Sequence, residues 1–175
     1  VRIATFNVNS IRSRIDRVEA LLERHDIDVL AIQETKARDD QWPVMGLEAM
    51  GYEVATHGYD QWNGVAIASR SKAHIHRVEL GAQDFDSAGR WLEADYEVGG
   101  KVVTVVSTYV HSGEDGTPKQ VEKYKFLDAM EARMPEIAAH SDYAVVLGDL
   151  NVGHTTLDIR NWKGNVKRAG FLPKE

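Results

Sequence analysis

The sequence contains no cysteine. A disulfide framework, a thiolate zinc site and a cysteine nucleophile are therefore excluded together. The lack of thiols suits a reducing compartment without requiring one. Proline is scarce, with four scattered through 175 residues. No Pro/Gly/Ser-rich linker, repeat or low-complexity tract divides the chain. No apolar run approaches the roughly 20 residues that span a bilayer, so no membrane partner is expected. The opening, VRIATFNVNS, lacks the charged leader, apolar stretch and cleavage site of a signal peptide. A cytoplasmic location is the expectation. The first residue is Val, not Met, which points to a leading residue or segment outside this sequence. Basic residues are in the minority, 21 Lys+Arg against 27 Asp+Glu, for a net charge of -6. That balance disfavours nucleic-acid binding through overall charge. It decides little for a metal-dependent enzyme, because clustered carboxylates lower the total and screening over ~8 Å makes local charge count. Residues 160–168 (RNWKGNVKR) reverse the average, with four basic residues and no acidic one.

Hydrophobic residues make up 43% and charged residues 27%, ordinary for a single soluble domain of this length. The chain opens with a short apolar strand over 2–6. Asn9-Ser10 is positioned to cap a following helix, in which Ile11, Ile15, Val18, Leu21 and Leu22 recur at helical spacing. Residues 28–33 (DVLAIQ) are nearly all apolar, as expected for a strand covered on both faces. The middle of the chain reads as strands over 52–56, 64–69, 74–78, 91–98 and 101–109, the last two joined by a Gly99-Gly100 hairpin. Helical spacing returns over 119–139, where Val121, Tyr124, Leu127, Met130, Met134 and Ile137 fall three or four apart. Pro135 is expected to bend or end that helix early. A buried strand follows over 143–147. The pattern predicts α/β layers around a sheet that is not purely parallel.

Polar groups stand at the ends of four apolar strands. Asn7 and Asn9 follow Phe6, Glu34 follows Gln33, Tyr109 follows Thr108, and Asp149 and Asn151 follow Gly148. Each alone is explained by a cap, a turn or a satisfied core hydroxyl. Together they supply what hydrolysis of a phosphodiester needs: carboxylates for a hard metal, fixed hydrogen-bond donors, and a group to aim water.

The strings that carry these residues resemble the exonuclease III family of the endonuclease/exonuclease/phosphatase superfamily. They are TFNVNSIR (5–12), IQETK (32–36), WNGVA (62–66), GDLN (148–151) and LDI (157–159), in the family's order and spacing. The QETK form and the LDI stretch favour its abasic-site repair branch. The resemblance implies a four-layer α/β sandwich, with two mixed sheets packed face to face and helices outside. It implies that Glu34 ligates the catalytic metal, Mg2+ with Mn2+ as substitute, and that Asn7 supports the metal and its ligands. Tyr109 matches the tyrosine that reaches the scissile phosphate, Asp149 the aspartate that activates or orients water, and Asn151 the asparagine in the same cluster. Lys123 aligns with a lysine of the family's long helix. The implied reaction is attack by water on the phosphate 5′ of an abasic sugar, leaving a 3′-hydroxyl. Trimming of 3′ ends as a 3′→5′ exonuclease or 3′-phosphatase accompanies it. The partner implied is duplex DNA with abasic sites or 3′ blocks, bound by a protein that is monomeric at full length. Arg12, Lys36, Lys123, Trp162, Lys163, Lys167 and Arg168 are candidate DNA contacts, with Trp162 offering an aromatic face.

Two features depart from the family. Tyr109-Val110 is followed by His111-Ser112 where relatives carry proline and an amide-bearing residue, so a phosphate contact there would fall to the Ser112 hydroxyl or a protonated His111. The family's R-I-D-type strand and its serine-aspartate-histidine motif do not occur. Residues 1–175 are therefore read as one domain, incomplete at its C-terminus, and half the sandwich is expected to be missing with one sheet face exposed. A related phosphodiesterase with another substrate, or an inactive DNA-binding fragment, is the alternative.

Overall fold

In the computed structural model, which describes residues 1–80 and 88–175, β2 (Val29–Gln33) is buried along its whole length. Alternation splits its side chains between two cores. Leu30 and Ile32 join an outer cluster under α1 (Ile15–His25) and α2 (Met45–Ala49). Val29 joins an inner cluster between two sheets. β2 pairs in parallel with β1 (Ile3–Asn7) and antiparallel with β4 (Val65–Ser69), which pairs with β3 (Glu53–His57). The first sheet thus has the order β1-β2-β4-β3.

The second sheet has the order β5-β6-β7-β8. β5 (His74–Arg77), β6 (Trp91–Val98) and β7 (Lys101–Tyr109) are antiparallel, and β8 (Tyr143–Asp149) runs parallel to β7. Gly99 and Gly100 make the β6–β7 turn at φ 58° and 75°, positions that side chains with a Cβ enter at a cost. On β6, Leu92, Ala94 and Tyr96 face the inner cluster. Trp91 faces the third core, beneath α3 (Pro118–His140), where Phe126, Met130 and Ile137 pack. The layers are helices, sheet, sheet, helix. The expected four-layer sandwich is therefore observed, with both sheets mixed.

Several expectations are corrected. The second sheet is present and covers the first, so the face expected to lie bare is packed; at the β8 edge Tyr143 and Val145 are exposed. Asn9 and Ser10 do not cap α1, which begins at Ile15. Both take positive φ, and the Ser10 N–H donates to the Glu34 carbonyl at 2.7 Å, tying the loop after β1 to the loop after β2. Pro135 does not end α3, which runs to His140. Pro135 and Glu131 both lie on the exposed side, so the carbonyl deprived of its partner by proline turns to water. The buried face of α3 is also rotated from the expected one: Gln120, Lys123, Phe126, Met130 and Ile137 are buried, while Val121 is 52% exposed. The short α2 and α4 (Trp162–Asn165) carry no periodic pattern long enough to predict them. No helix among the described residues is long and apolar enough to cross a membrane.

Candidate active site

The parallel pairs bring four strand ends together. Asn7 is in register with Gln33, and Tyr109 with Asp149. A buried polar bridge fixes one sheet on the other at this rim. Gln33 Nε2 donates to Ser107 Oγ at 3.0 Å, and Ser107 Oγ donates to the Ile32 carbonyl at 3.0 Å. Thr5 Oγ1 completes the amide by donating to Gln33 Oε1 at 3.1 Å. A satisfied buried network of this kind holds a relative placement that apolar packing alone would leave looser.

Asn7 lies at the centre of the rim. Its Nδ2 donates to Glu34 Oε1 at 2.8 Å and to Asp149 Oδ2 at 2.9 Å, and its Oδ1 accepts from the Asn9 N–H at 3.0 Å. One amide thus gathers two carboxylates from different sheets. Lys36 Nζ stands 3.2 Å from Glu34 Oε2 and donates to Asn9 Oδ1. Burial opposes ionisation of Glu34, but hydrogen bonds from Asn7, Lys36 and Tyr109 and the Lys36 charge outweigh it, so its pKa lies below the ordinary glutamate range. Tyr109 shifts the other way: burial and the negative charge of Glu34 raise its pKa, against a smaller lowering by Arg90. The phenol therefore stays protonated and acts as a donor.

Glu34, Lys36, Asn9 and Asn151 all have positive φ without being glycine. Such conformations persist only where the surroundings over-determine them. The loop after β2 is held by Thr35 N–H to the Gly64 carbonyl at 3.1 Å and Lys36 N–H to the Asn63 carbonyl at 2.8 Å. Gly64 sits at φ 105°, and a Cβ there would lie 2.0 Å from Thr35 Oγ1. The WNG string thus supports Glu34 through its backbone.

Asn151 Nδ2 donates to the Val110 carbonyl at 2.8 Å, and its N–H donates to Asp149 Oδ1 at 3.3 Å. Asn151 therefore holds the loop that presents Asp149. Asp149, Asn151 and Ser112 line a cleft of about 750 Å³, whose other wall includes Asp158, Asn165 and Phe171. Trp162, Lys163, Lys167 and Arg168 are exposed on the segment that contributes this wall. Lys163 Nζ lies 5.7 Å from the centroid of the Trp162 ring. Arg12 is exposed beside the loop after β1, and Lys36 is half-buried at Glu34.

The placement of Lys123 differs from the expectation of a DNA contact. Its side chain is 0% exposed and pairs with Glu175 at 2.6 Å. Its Nζ also donates to the carbonyls of Asn151 at 2.7 Å and Ser112 at 3.3 Å. With its donors committed inside the protein it supports the Asn151 loop instead of meeting a phosphate. His111 packs its ring edge-on to Phe126 at 5.4 Å, on the α3 side of the sheet.

Some contributors carry no sequence signal. The Arg90 guanidinium lies 4.8 Å from the Tyr109 ring centroid and donates to the Tyr109 carbonyl at 3.1 Å. Arg90 precedes a strand and belongs to no string, so only the fold reveals it. Glu175, the partner of Lys123, is equally silent. Gln33 lies within the IQETK string, and its burial in an apolar strand was the available sign of a structural polar bridge.

The oxygen donors Glu34 and Asp149, held by a shared amide, fit a hard divalent cation such as Mg2+ or Mn2+ better than a softer metal. The Glu34 oxygen not bonded to Asn7, Oε2, pairs with Lys36.

The fold and site define a class: a two-sheet α/β protein with carboxylate, amide and phenol groups at one rim, equipped to handle phosphate esters. A sequence model of the Endonuclease/Exonuclease/phosphatase family matches residues 4–173. The chain belongs to that family of enzymes, in its exonuclease III branch. It is 29% identical, over its whole length, to the exodeoxyribonuclease III of Haemophilus influenzae, of which it spans 68%. It superimposes on an AP endonuclease from Archaeoglobus fulgidus with a TM-score of 0.88 at 31% identity, covering 98% of this chain and 65% of that one. A Neisseria 3′ phosphatase bound to a product DNA hairpin matches with a TM-score of 0.86 at 28% identity, over 96% of this chain and 64% of that one. The chain thus spans about two-thirds of these relatives.

Proposed function

We propose that residues 1–175 form one domain of a divalent-metal-dependent DNA repair nuclease. It hydrolyses the phosphodiester 5′ to abasic sites in duplex DNA and also trims 3′ ends as an exonuclease and 3′-phosphatase. The observation that carries this reading is the single amide of Asn7 joining Glu34 and Asp149 where four strand ends meet. The names of the relatives supply the substrate class.

Glu34, supported by Asn7, holds Mg2+ or Mn2+. The ion, when bound, offsets phosphate charge and polarises the phosphoryl oxygen. Tyr109 donates its hydroxyl hydrogen bond to a non-bridging oxygen of the scissile phosphate, where negative charge grows in the transition state. Asp149 accepts a hydrogen bond from the attacking water and aims it in line with the leaving 3′-oxygen. Asn151 and Lys123 position Asp149 through the loop they hold. Trp162, Lys163, Lys167 and Arg168 lie on the segment that walls the cleft, Arg12 and Lys36 on the loops after β1 and β2, and the basic groups neutralise backbone phosphates. The protein acts as a monomer in the cytoplasm.

The test is a labelled duplex carrying one tetrahydrofuran abasic analogue, incubated with the full chain and Mg2+, then with excess chelator. The expected product is a nick on the 5′ side of the lesion bearing a 3′-hydroxyl, abolished by the chelator. Equal cutting of undamaged duplex, or retention of the DNA without any cutting, would overturn the proposal.

A further inference from the structure

A second cluster of ligand-bearing side chains lies far from the rim. His76, Asp95 and His140 each offer one ligand atom, and these atoms lie within 4.8 Å of one another. Asp95 is on β6 opposite Thr104 of β7, five residues before Tyr109. At ~3.4 Å per residue this puts the cluster about 17 Å from the strand ends that hold Tyr109 and Asp149.

Three elements meet here for separate reasons. The β5–β6 register slips between Ile75 and Arg77, and the residue in the slip is His76. A bulge of this kind re-aims the side chain it carries. His140 is the last residue of α3, and its Nε2 donates to Asp95 Oδ2, 2.6 Å away. The His76 and His140 rings stack at 4.7 Å with an interplanar angle of 7°. The second oxygen of Asp95 accepts from Thr104 Oγ1 at 2.6 Å, and Ser141 Oγ contacts that same hydroxyl. The carboxylate is therefore oriented from behind, as metal-bound carboxylates are. Lys101, which lines the same surface hollow as Asp95 and His140, pairs with Asp142.

The structure assigns His76, Asp95 and His140 as a binding site for a borderline transition-metal ion, of the Zn2+, Co2+ or Ni2+ class, that clamps the edge strand β5 to β6 and to the end of α3. Two imidazole nitrogens and one carboxylate oxygen suit such ions, and water would complete a tetrahedral sphere. Mg2+ prefers an all-oxygen shell and is disfavoured here. With the rings parallel, their in-plane lone pairs do not converge on one point. His76 is exposed on a bulged edge strand, so ion binding would require rotation about its side-chain torsions to bring its nitrogen round. The role is structural and independent of the nuclease reading.

The test is titration of the full chain with Zn2+, following calorimetric heat and competition with a chromophoric chelator, in a Glu34→Gln background that weakens the other site. One Zn2+ is expected to bind per chain and to raise the Tm. His76→Ala and His140→Ala are each expected to weaken binding by at least about tenfold, and Thr104→Val by a smaller factor within the ~10–100-fold range of outer-shell changes. Mg2+ should not compete. A Co2+-loaded sample should show the visible d–d absorption of a tetrahedral site, lost in His76→Ala, which separates ligand loss from misfolding when circular dichroism is unchanged. Absence of Zn2+ binding, or binding unaltered by both histidine substitutions, would overturn the assignment.

Discussion

Replacing Asn7 by Ala removes the amide that joins the two sheets' carboxylates. Two of its hydrogen bonds go to the side chains of Glu34 and Asp149, at 2.8 Å and 2.9 Å, and bonds to carboxylates contribute about 1.5–3 kcal/mol each. Water can refill part of the gap, because the Glu34 side chain is 18% exposed. The low end of the range is therefore appropriate, and a total loss of about 3 kcal/mol is expected. For a chain of this size, each kcal/mol lowers the Tm by about 2–4 °C, so a drop of roughly 6–12 °C should appear in a thermal melt. The rate of DNA incision should fall by ~100-fold or more, since the two carboxylates lose their common anchor. The Glu34 pKa should rise, because the Asn7 hydrogen bond is the largest contribution that lowers it. Asn7→Asp sharpens the test: it preserves shape but substitutes a third carboxylate, so it should be less stable than Asn7→Ala at neutral pH and recover ground on acidification. A Tm and an incision rate unchanged in Asn7→Ala would refute the reasoning.

Gly64→Ala places a Cβ 2.0 Å from Thr35 Oγ1 at φ 105°. It should cost ~1–3 kcal/mol by thermal melt and reduce activity by displacing Glu34. Glu175→Ala leaves the Lys123 ammonium buried without its carboxylate, so chemical denaturation should show a loss of about 3–5 kcal/mol. Single Ala replacements of Lys163, Lys167 and Arg168 should each flatten the log–log salt dependence of DNA binding by about one unit, read by fluorescence anisotropy. An unchanged slope would leave them as solvated surface groups. Glu34, whose folded pKa is lowered, contributes stability that is fully present above its unfolded value of about 4.3 and is lost as pH falls through the folded value. Melts across the acidic range should show this component vanish in Glu34→Gln.

Much of the fold was readable because the buried strands announce themselves. Residues 28–33 are apolar on both faces, and the Gly99-Gly100 turn fixes the β6 and β7 boundaries. The long helix was legible as a helix, but its buried face was not. Lys123 and Gln120 take core positions through polar partners, and apolar spacing alone points to Val121 and Tyr124 instead. The strand-end residues Asn7, Glu34, Tyr109 and Asp149 do converge, as their positions suggested. The sequence cannot show that Asn7 bridges both carboxylates, since residues 7 and 149 meet only through the stacking of the two sheets. Arg90 and Glu175 escaped notice for the same reason: each acts through a tertiary contact with no local pattern. The bulge that turns His76 toward His140 is likewise a property of strand register, not of spacing.

The most direct measurement is single-turnover incision of the tetrahydrofuran duplex by the unaltered chain and by Glu34→Gln, each at saturating Mg2+. The account predicts a nick 5′ to the lesion with a 3′-hydroxyl for the unaltered chain, and a rate lower by about 100-fold or more for Glu34→Gln with its circular dichroism spectrum unchanged. Equal rates for the two proteins would contradict the placement of the reaction at this strand-end site.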